Sequence, residues 1–212
     1  MGILSQEDLV DDKYREDQIY VSFHYNSLKN TPEDLSQNKF SSSLSLGFIR
    51  DLPINKNRNF GFGLGLGFSR GSYNNNFRIL KSNNNFQIEA ISDLSNFSKN
   101  KWTLNQLEIP FEIRWRTSTA TNYKFWRIYT GIKTSYLMGS KSKYNSDLGN
   151  ETLNNLPFNK LQQGLTINLG NNTWNIGLFL GLTPIFNDEF AEKHKNIKNI
   201  KPFKVGLVFY IL

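Results

Sequence analysis

The chain has 212 residues, no cysteine, a formal charge of +7 and a hydrophobic fraction of 38%. That length allows one domain with a sizeable core, and the missing cysteines exclude disulfides, thiolate nucleophiles and cysteine-held metals. No apolar run approaches the roughly 18 residues of a membrane helix, which excludes a helical membrane protein but not a barrel of alternating strands.

Residues 1–17 hold six acids (Glu7, Asp8, Asp11, Asp12, Glu16, Asp17) against Lys13 and Arg15, a balance of −4 that leaves +11 on the remainder. This predicts an acidic segment, 1–17, set apart from a basic body, 18–212. Residues 1–4 are too few for the apolar stretch of an export signal, so either the chain is not exported or the start is that of a mature or trimmed form.

Period-two alternation marks a strand with unlike faces. It runs through eight segments: 18–26, 40–49, 60–73, 105–116, 125–139, 161–169, 174–183 and 203–212. Most are near the 9–11 residues that cross a bilayer as a tilted strand. The first sets Ile19, Val21, Phe23 and Tyr25 against Ser22, His24 and Asn26; the second sets Leu44, Leu46 and Phe48 against Ser41, Ser43 and Ser45. In the third, Phe60, Phe62, Leu64, Leu66 and Phe68 alternate with Gly61, Gly63, Gly65 and Gly67. Glycine weakens a strand because it loses backbone entropy and packs nothing. Four on one face therefore predict something bulky opposite.

The fourth segment sets Leu107, Ile109, Phe111, Ile113 and Trp115 against Gln106, Glu108, Glu112 and Arg114. The fifth sets Trp126, Ile128, Ile132 and Tyr136 against Arg127, Tyr129 and Lys133. Leu165, Ile167 and Leu169 oppose Gln162, Thr166 and Asn168 in the sixth. The last two carry Trp174, Ile176, Leu178, Leu180 and Leu182, then Phe203, Val205, Leu207, Phe209 and Ile211. Residues 184–199 have room for a helical turn or two.

Short links (50–59, 117–124, 170–173) alternate with longer ones, of which 74–104 is the longest. An even strand count with short turns at one end and long loops at the other is the outer-membrane barrel pattern. In the longest loop, Phe77/Ile79 and Phe86/Ile88 flank the asparagine run 83–85 and predict a hairpin above the barrel.

A soluble barrel alternates equally well, with its apolar face inward. Tryptophan breaks the tie. Trp115 ends one segment while Trp126 and Trp174 begin others, so all three share the short-turn rim, on the apolar face. Aromatics ringing an apolar band are expected at a membrane interface. The polar face then points inward, where Glu108, Glu112, Arg114, Arg127 and Lys133 must pair, because an unpaired buried charge is costly. Gly61, Gly63, Gly65 and Gly67 would make room for those long side chains. The interior is predicted to be plugged.

Catalytic chemistry finds little support. Of the two histidines, His24 lies on the polar face near serines and suits interior hydrogen bonding better than a triad; His194 sits in a lysine-rich loop. Glu108 and Glu112 share a face but lie roughly 13 Å apart along a strand, beyond glycosidase pairing. The glycine run has Leu66 where a dinucleotide fingerprint needs glycine, and no helix follows. Asp147-Leu148-Gly149-Asn150-Glu151 matches no calcium-loop spacing and reads as a turn. The sequons at Asn96, Asn150 and Asn171 arise by chance in so asparagine-rich a chain. Basic residues fall at the rims: Arg50, Lys56, Arg58, Arg116 and Lys124 by the short turns, and Lys141, Lys143, Lys193, Lys195 and Lys198 in the long loops. They suit anionic headgroups or plain solvation. They do not interleave with exposed aromatics as nucleic-acid binding wants.

Four stretches carry a family resemblance. They are Lys13-Tyr14-Arg15-Glu16-Asp17-Gln18-Ile19-Tyr20, Gly47-Phe48-Ile49-Arg50-Asp51-Leu52-Pro53-Ile54-Asn55, Leu107-Glu108-Ile109-Pro110-Phe111-Glu112-Ile113-Arg114-Trp115-Arg116 and Phe125-Trp126-Arg127-Ile128-Tyr129-Thr130-Gly131. The chain resembles the small PorT-like "porin family" outer-membrane barrels of Bacteroidota, especially flavobacteria, over nearly its whole length. The resemblance implies a Gram-negative outer-membrane barrel with no agreed active site, and some such relatives belong to the type IX secretion and gliding apparatus. Lys204-Val205-Gly206-Leu207-Val208-Phe209-Tyr210-Ile211 also resembles the C-terminal signal of barrel insertion.

The expectation is an all-β, eight-stranded antiparallel up-and-down transmembrane barrel with short periplasmic turns and long extracellular loops. Its function is expected to be non-enzymatic and without a cofactor, as a structural or accessory subunit of an outer-membrane complex. A narrow solute channel and a lipid-modifying barrel enzyme are the alternatives. Expected partners are outer-membrane lipids, including lipopolysaccharide, and proteins of the complex.

Overall fold

A computed structural model describes residues 17–37, 39–83, 85–91, 97–117, 126–147, 149–171 and 173–211. The acidic segment before residue 17, the sequon residues Asn96 and Asn172, Lys124, Phe125, Leu212 and Leu148 of the candidate calcium loop lie outside them.

Eleven strands occur among the described residues: β1 (Gln18–Lys29), β2 (Ser42–Pro53), β3 (Phe60–Asn74), β4 (Phe77–Ser82), β5 (Asn85–Ala90), β6 (Phe97–Arg116), β7 (Trp126–Ser146), β8 (Gly149–Asn154), β9 (Leu161–Asn171), β10 (Trp174–Gly181) and β11 (Lys201–Ile211). Eight of them, β1–β2–β3–β6–β7–β9–β10–β11, pair antiparallel in sequence order. The last returns to the first, with Ile19 opposite Ile211 and Tyr25 opposite Val205. The sheet is therefore a closed up-and-down barrel, which leaves no edge along its wall. The short connections lie beside Pro53, Arg116 and Asn171, at the end where Trp115, Trp126 and Trp174 stand.

The predicted strands are all present, but β6 and β7 run on to 20 and 21 residues. At about 3.3 Å per residue each is far longer than a bilayer needs, and both rise beyond the apolar belt. Alternation fails as a guide there because the inward face changes character. Along β6 the inward side chains are Trp102 and Leu104, then Gln106 and Glu108, all buried. A bulge between Asn105 and Gln106 marks the change. The outward face changes in the opposite sense, from Lys99 and Lys101 to Leu107 and Ile109. Lipid favours apolar residues outside and water favours them inside, so one strand crossing both must switch.

Above the switch sits a small apolar core. Trp102, Leu104, Tyr73, Phe77, Ile79, Leu156, Phe158, Ile185, Phe186, Phe190, Ile197 and Ile200 are buried together. The β4–β5 hairpin forms where the sequence predicts one, and β8 extends β7. Residues 184–199 supply the predicted turns: helix α1 (Asp188–Lys193) and a 3-10 turn, Lys195–Ile197. Asn187 caps α1 by accepting from the Phe190 N–H at 2.9 Å. This core closes the long-loop end.

Candidate functional site

The wall brings the polar faces of all eight strands together inside the barrel, and two ion-pair clusters occupy it. Near the short-turn end, β6 and the foot of β2 place Arg114 and Arg116 on either side of Asp51. Arg116 donates to both Asp51 oxygens, at 2.8 and 2.7 Å, and its Nε donates to the Arg58 carbonyl at 2.9 Å. Arg114 donates to Asp51 at 3.1 Å, to Gln18 at 2.9 Å and to Glu112 at 3.1 Å. Its guanidinium lies 4.4 Å from the Tyr129 ring centre. Arg114, Arg116 and Asp51 are all 0% exposed. Such charges persist inside a protein only when each is paired and hydrogen-bonded.

Halfway up, β6 and β7 bring Glu108 and Lys133 together at 3.0 Å. The Tyr20 hydroxyl donates to the same Glu108 oxygen at 3.4 Å. Between the clusters, the Tyr210 hydroxyl donates to Glu112 at 3.3 Å and accepts from Asn168 at 3.0 Å. Arg127 lies 5.6 and 5.4 Å from the Tyr129 and Tyr210 ring centres. One cavity, lined by Tyr20, His24, Glu112, Lys133, Asn168 and Tyr210 among others, has a volume of about 30 Å³, enough for a water or two.

Of the five charges expected inside, Glu112 pairs with Arg114 and Glu108 with Lys133, while Arg127 is buried against the Tyr129 and Tyr210 rings. Asp51, the acid that joins the two arginines, falls within the short link expected at 50–59. Its signal was its place, two residues before Pro53, on the inward phase of β2. Arg116 corrects an expectation: it is not a solvated rim cation but a buried partner of Asp51. Lys204 is also buried inside, because β11 continues its inward phase to the top of the barrel.

The glycines need a correction too. Only Gly63 has an arginine over it, with Arg114 Nε 2.7 Å from where a Cβ would stand. A Cβ on Gly67 would meet the Tyr20 hydroxyl, and one on Gly47 the Tyr20 ring at 2.5 Å. At Gly65 it would strike the Phe48 carbonyl at 2.5 Å and Ile49 at 2.7 Å, and at Gly61 the Leu52 carbonyl at 2.9 Å. The bulk the glycine wall admits is thus mostly Tyr20 and Ile49 rather than the charge cluster.

Outside, the barrel is apolar. Ile19, Phe23, Leu44, Leu46, Phe48, Leu64, Leu66, Phe68, Ile109 and Phe111 are exposed in a band. Trp126 and Trp174 are each 63% exposed at its lower edge and Trp115 39%. Contiguous apolar surface on this scale needs an apolar solvent.

Two solved structures of Ail, the attachment invasion locus protein of Yersinia pestis, are similar to this chain. The one in complex with the heparin analogue sucrose octasulfate has 12% identity and a TM-score of 0.44, with 92% of this chain and 97% of Ail covered. The other has 11% identity and a TM-score of 0.40, covering 92% and 96%. No curated protein matches the chain. The family described as outer membrane protein beta-barrel domain matches residues 5–191. With that match over most of its length, a closed wall, an apolar exterior and a charged interior, the chain belongs to the outer membrane protein β-barrel domain family, and its place is the outer membrane of a Gram-negative bacterium.

Proposed function

We propose that the protein is a non-enzymatic, PorT-like barrel that acts as a structural or accessory subunit of a larger outer-membrane assembly. The filled interior carries this reading. Its ion pairs and tyrosines occupy the lumen, and the apolar core around Trp102 covers the long-loop end. A barrel so blocked offers its surfaces rather than a passage. The charge of Glu7, Asp8, Asp11, Asp12 and Glu16 suits a basic periplasmic partner, and the broad loop cap suits an external one. The sequence resemblance to PorT-like barrels supports the secretion or gliding apparatus as the setting.

Co-purification from native membranes in mild detergent tests this. Stoichiometric protein partners are expected; a barrel that arrives alone ends the proposal. In planar bilayers the folded protein is expected to stay silent, and discrete conductance steps would favour the channel alternative.

A further inference from the structure

The cavity inside the barrel is lined by two hydroxyls that nothing else in the protein engages. Ser22 on β1 and Thr166 on β9 both line it. They are 1% and 5% exposed, and neither Ser22 Oγ nor Thr166 Oγ1 meets a hydrogen-bonding partner. Buried hydroxyls in that condition are rare enough to need a reason. The neighbouring polar groups are already committed. The Tyr20 hydroxyl donates to Glu108, and the Tyr210 hydroxyl accepts from Asn168 while donating to Glu112. Lys133, also on the cavity wall, donates to Glu108 at 3.0 Å, and an ammonium has three N–H groups to give.

The charges around this cavity do not balance. Glu112 is matched by Arg114 at 3.1 Å and Glu108 by Lys133 at 3.0 Å. Lys204 is left over. It is buried, its ammonium lies 5.1 Å from the centre of the Phe179 ring, and that ring lines the cavity. Among the described residues no carboxylate forms an ion pair with it; it acts instead on the Glu108 that Lys133 already holds. Both ammonium groups also act on His24, which borders the cavity. Surplus charge is costly where solvent cannot answer it. A water would engage the two hydroxyls but leave the charge as it stands. A small monovalent anion does both, and a volume of about 30 Å³ has room for a single ion.

We propose that this cavity binds one chloride ion, held by the Ser22 and Thr166 hydroxyls and the Lys133 ammonium, and balanced by Lys204. Glu112 on the same wall does not oppose it, because Arg114 and the Tyr210 hydroxyl take up its charge. The ion is a structural part of the plug. It needs only the folded barrel, so it stands or falls separately from the assembly role.

The test uses the full chain refolded from urea into neutral detergent, with sodium chloride exchanged for sodium gluconate at constant ionic strength. Once the site is saturated, each tenfold rise in chloride is expected to raise the folded-to-unfolded ratio about tenfold. Ser22→Ala/Thr166→Val is expected to lose that dependence, and Lys204→Gln, which removes the surplus charge, to weaken it. Wild-type crystals grown in sodium bromide are expected to show an anomalous scattering peak in the cavity. Stability independent of chloride would overturn the proposal. So would an equal chloride dependence in wild type and the double variant, which marks a bulk salt effect, or bromide crystals without a peak between Ser22 and Thr166. The bromide experiment on wild type decides the matter even if the variants fail to fold.

Discussion

Asp51 is the residue on which the lower interior turns. It accepts from two arginines that would otherwise face each other in a space without solvent. Asp51→Asn keeps the shape and removes the charge, leaving Arg114 and Arg116 to repel. Removing one partner of a buried pair costs about 3–5 kcal/mol. Urea unfolding in lipid vesicles, followed by tryptophan fluorescence, is expected to show a loss of that size. Tyr20 makes a second single-residue argument. It lies over Gly47 and Gly67 and donates to Glu108, so the two glycines are its seat. Gly67→Leu is expected to abolish correct assembly, because the new side chain meets both the Tyr20 hydroxyl and, at 2.9 Å, the Leu46 carbonyl. Gly139→Leu is the contrast, since nothing lies within 4 Å of a Cβ there. That variant is expected to fold as wild type, judged by the gel mobility of unheated and heated samples. Equal behaviour of the two variants would contradict the packed-interior account.

Among the elements, β6 and β7 do two jobs in sequence. Their lower halves are membrane wall and their upper halves are the walls of a small water-facing domain. The join is visible as the bulge at Asn105/Gln106 and the exchange of polar and apolar faces. The cap this creates is held by ring contacts: Trp102 to Phe186 at 5.5 Å, Phe158 to Phe186 at 5.3 Å and Phe186 to Phe190 at 5.3 Å. Phe186 is the common member. Phe186→Ala is expected to destabilise the cap by about 3–5 kcal/mol without opening the wall, whose ladder it does not join. Limited proteolysis should then cut within residues 184–200 while the unheated barrel keeps its compact gel mobility. If cap and barrel were lost together, the two halves would be one cooperative unit.

For the molecule as a whole, the tryptophans report how it sits in the bilayer. Trp115, Trp126 and Trp174 face outward at the short-turn edge, whereas Trp102 is 0% exposed inside the cap. In single-tryptophan variants reconstituted with lipids brominated near the headgroup, strong quenching is expected for the first three and none for Trp102. Quenching of Trp102 would place the cap within the membrane and displace the apolar belt described above. The same inside-out arrangement explains the sparse core of the barrel proper. Tyr20, Ile49, Tyr129, Val208 and Tyr210 are the apolar cluster there, and lipid rather than an interior solvates the rest.

The wall was legible in the residue pattern alone. Strict alternation, the strand count, the alternating link lengths and the three rim tryptophans were enough, because a strand's two faces answer to two solvents and each residue records which one it meets. The same reasoning assigns Glu108, Glu112, Arg114, Arg127 and Lys133 to the inward face. Who pairs with whom depended on the fold. Asp51 and Arg116 lie 65 positions apart and meet because β2 and β6 both flank β3, a fact of register rather than local pattern. The tyrosine seated on the glycines was hidden likewise, since alternation reports which face a residue takes but not what crosses the lumen to touch it. The upper halves of β6 and β7 escaped notice because the alternation there obeys water instead of lipid. A reading tuned to one solvent stops where the other begins.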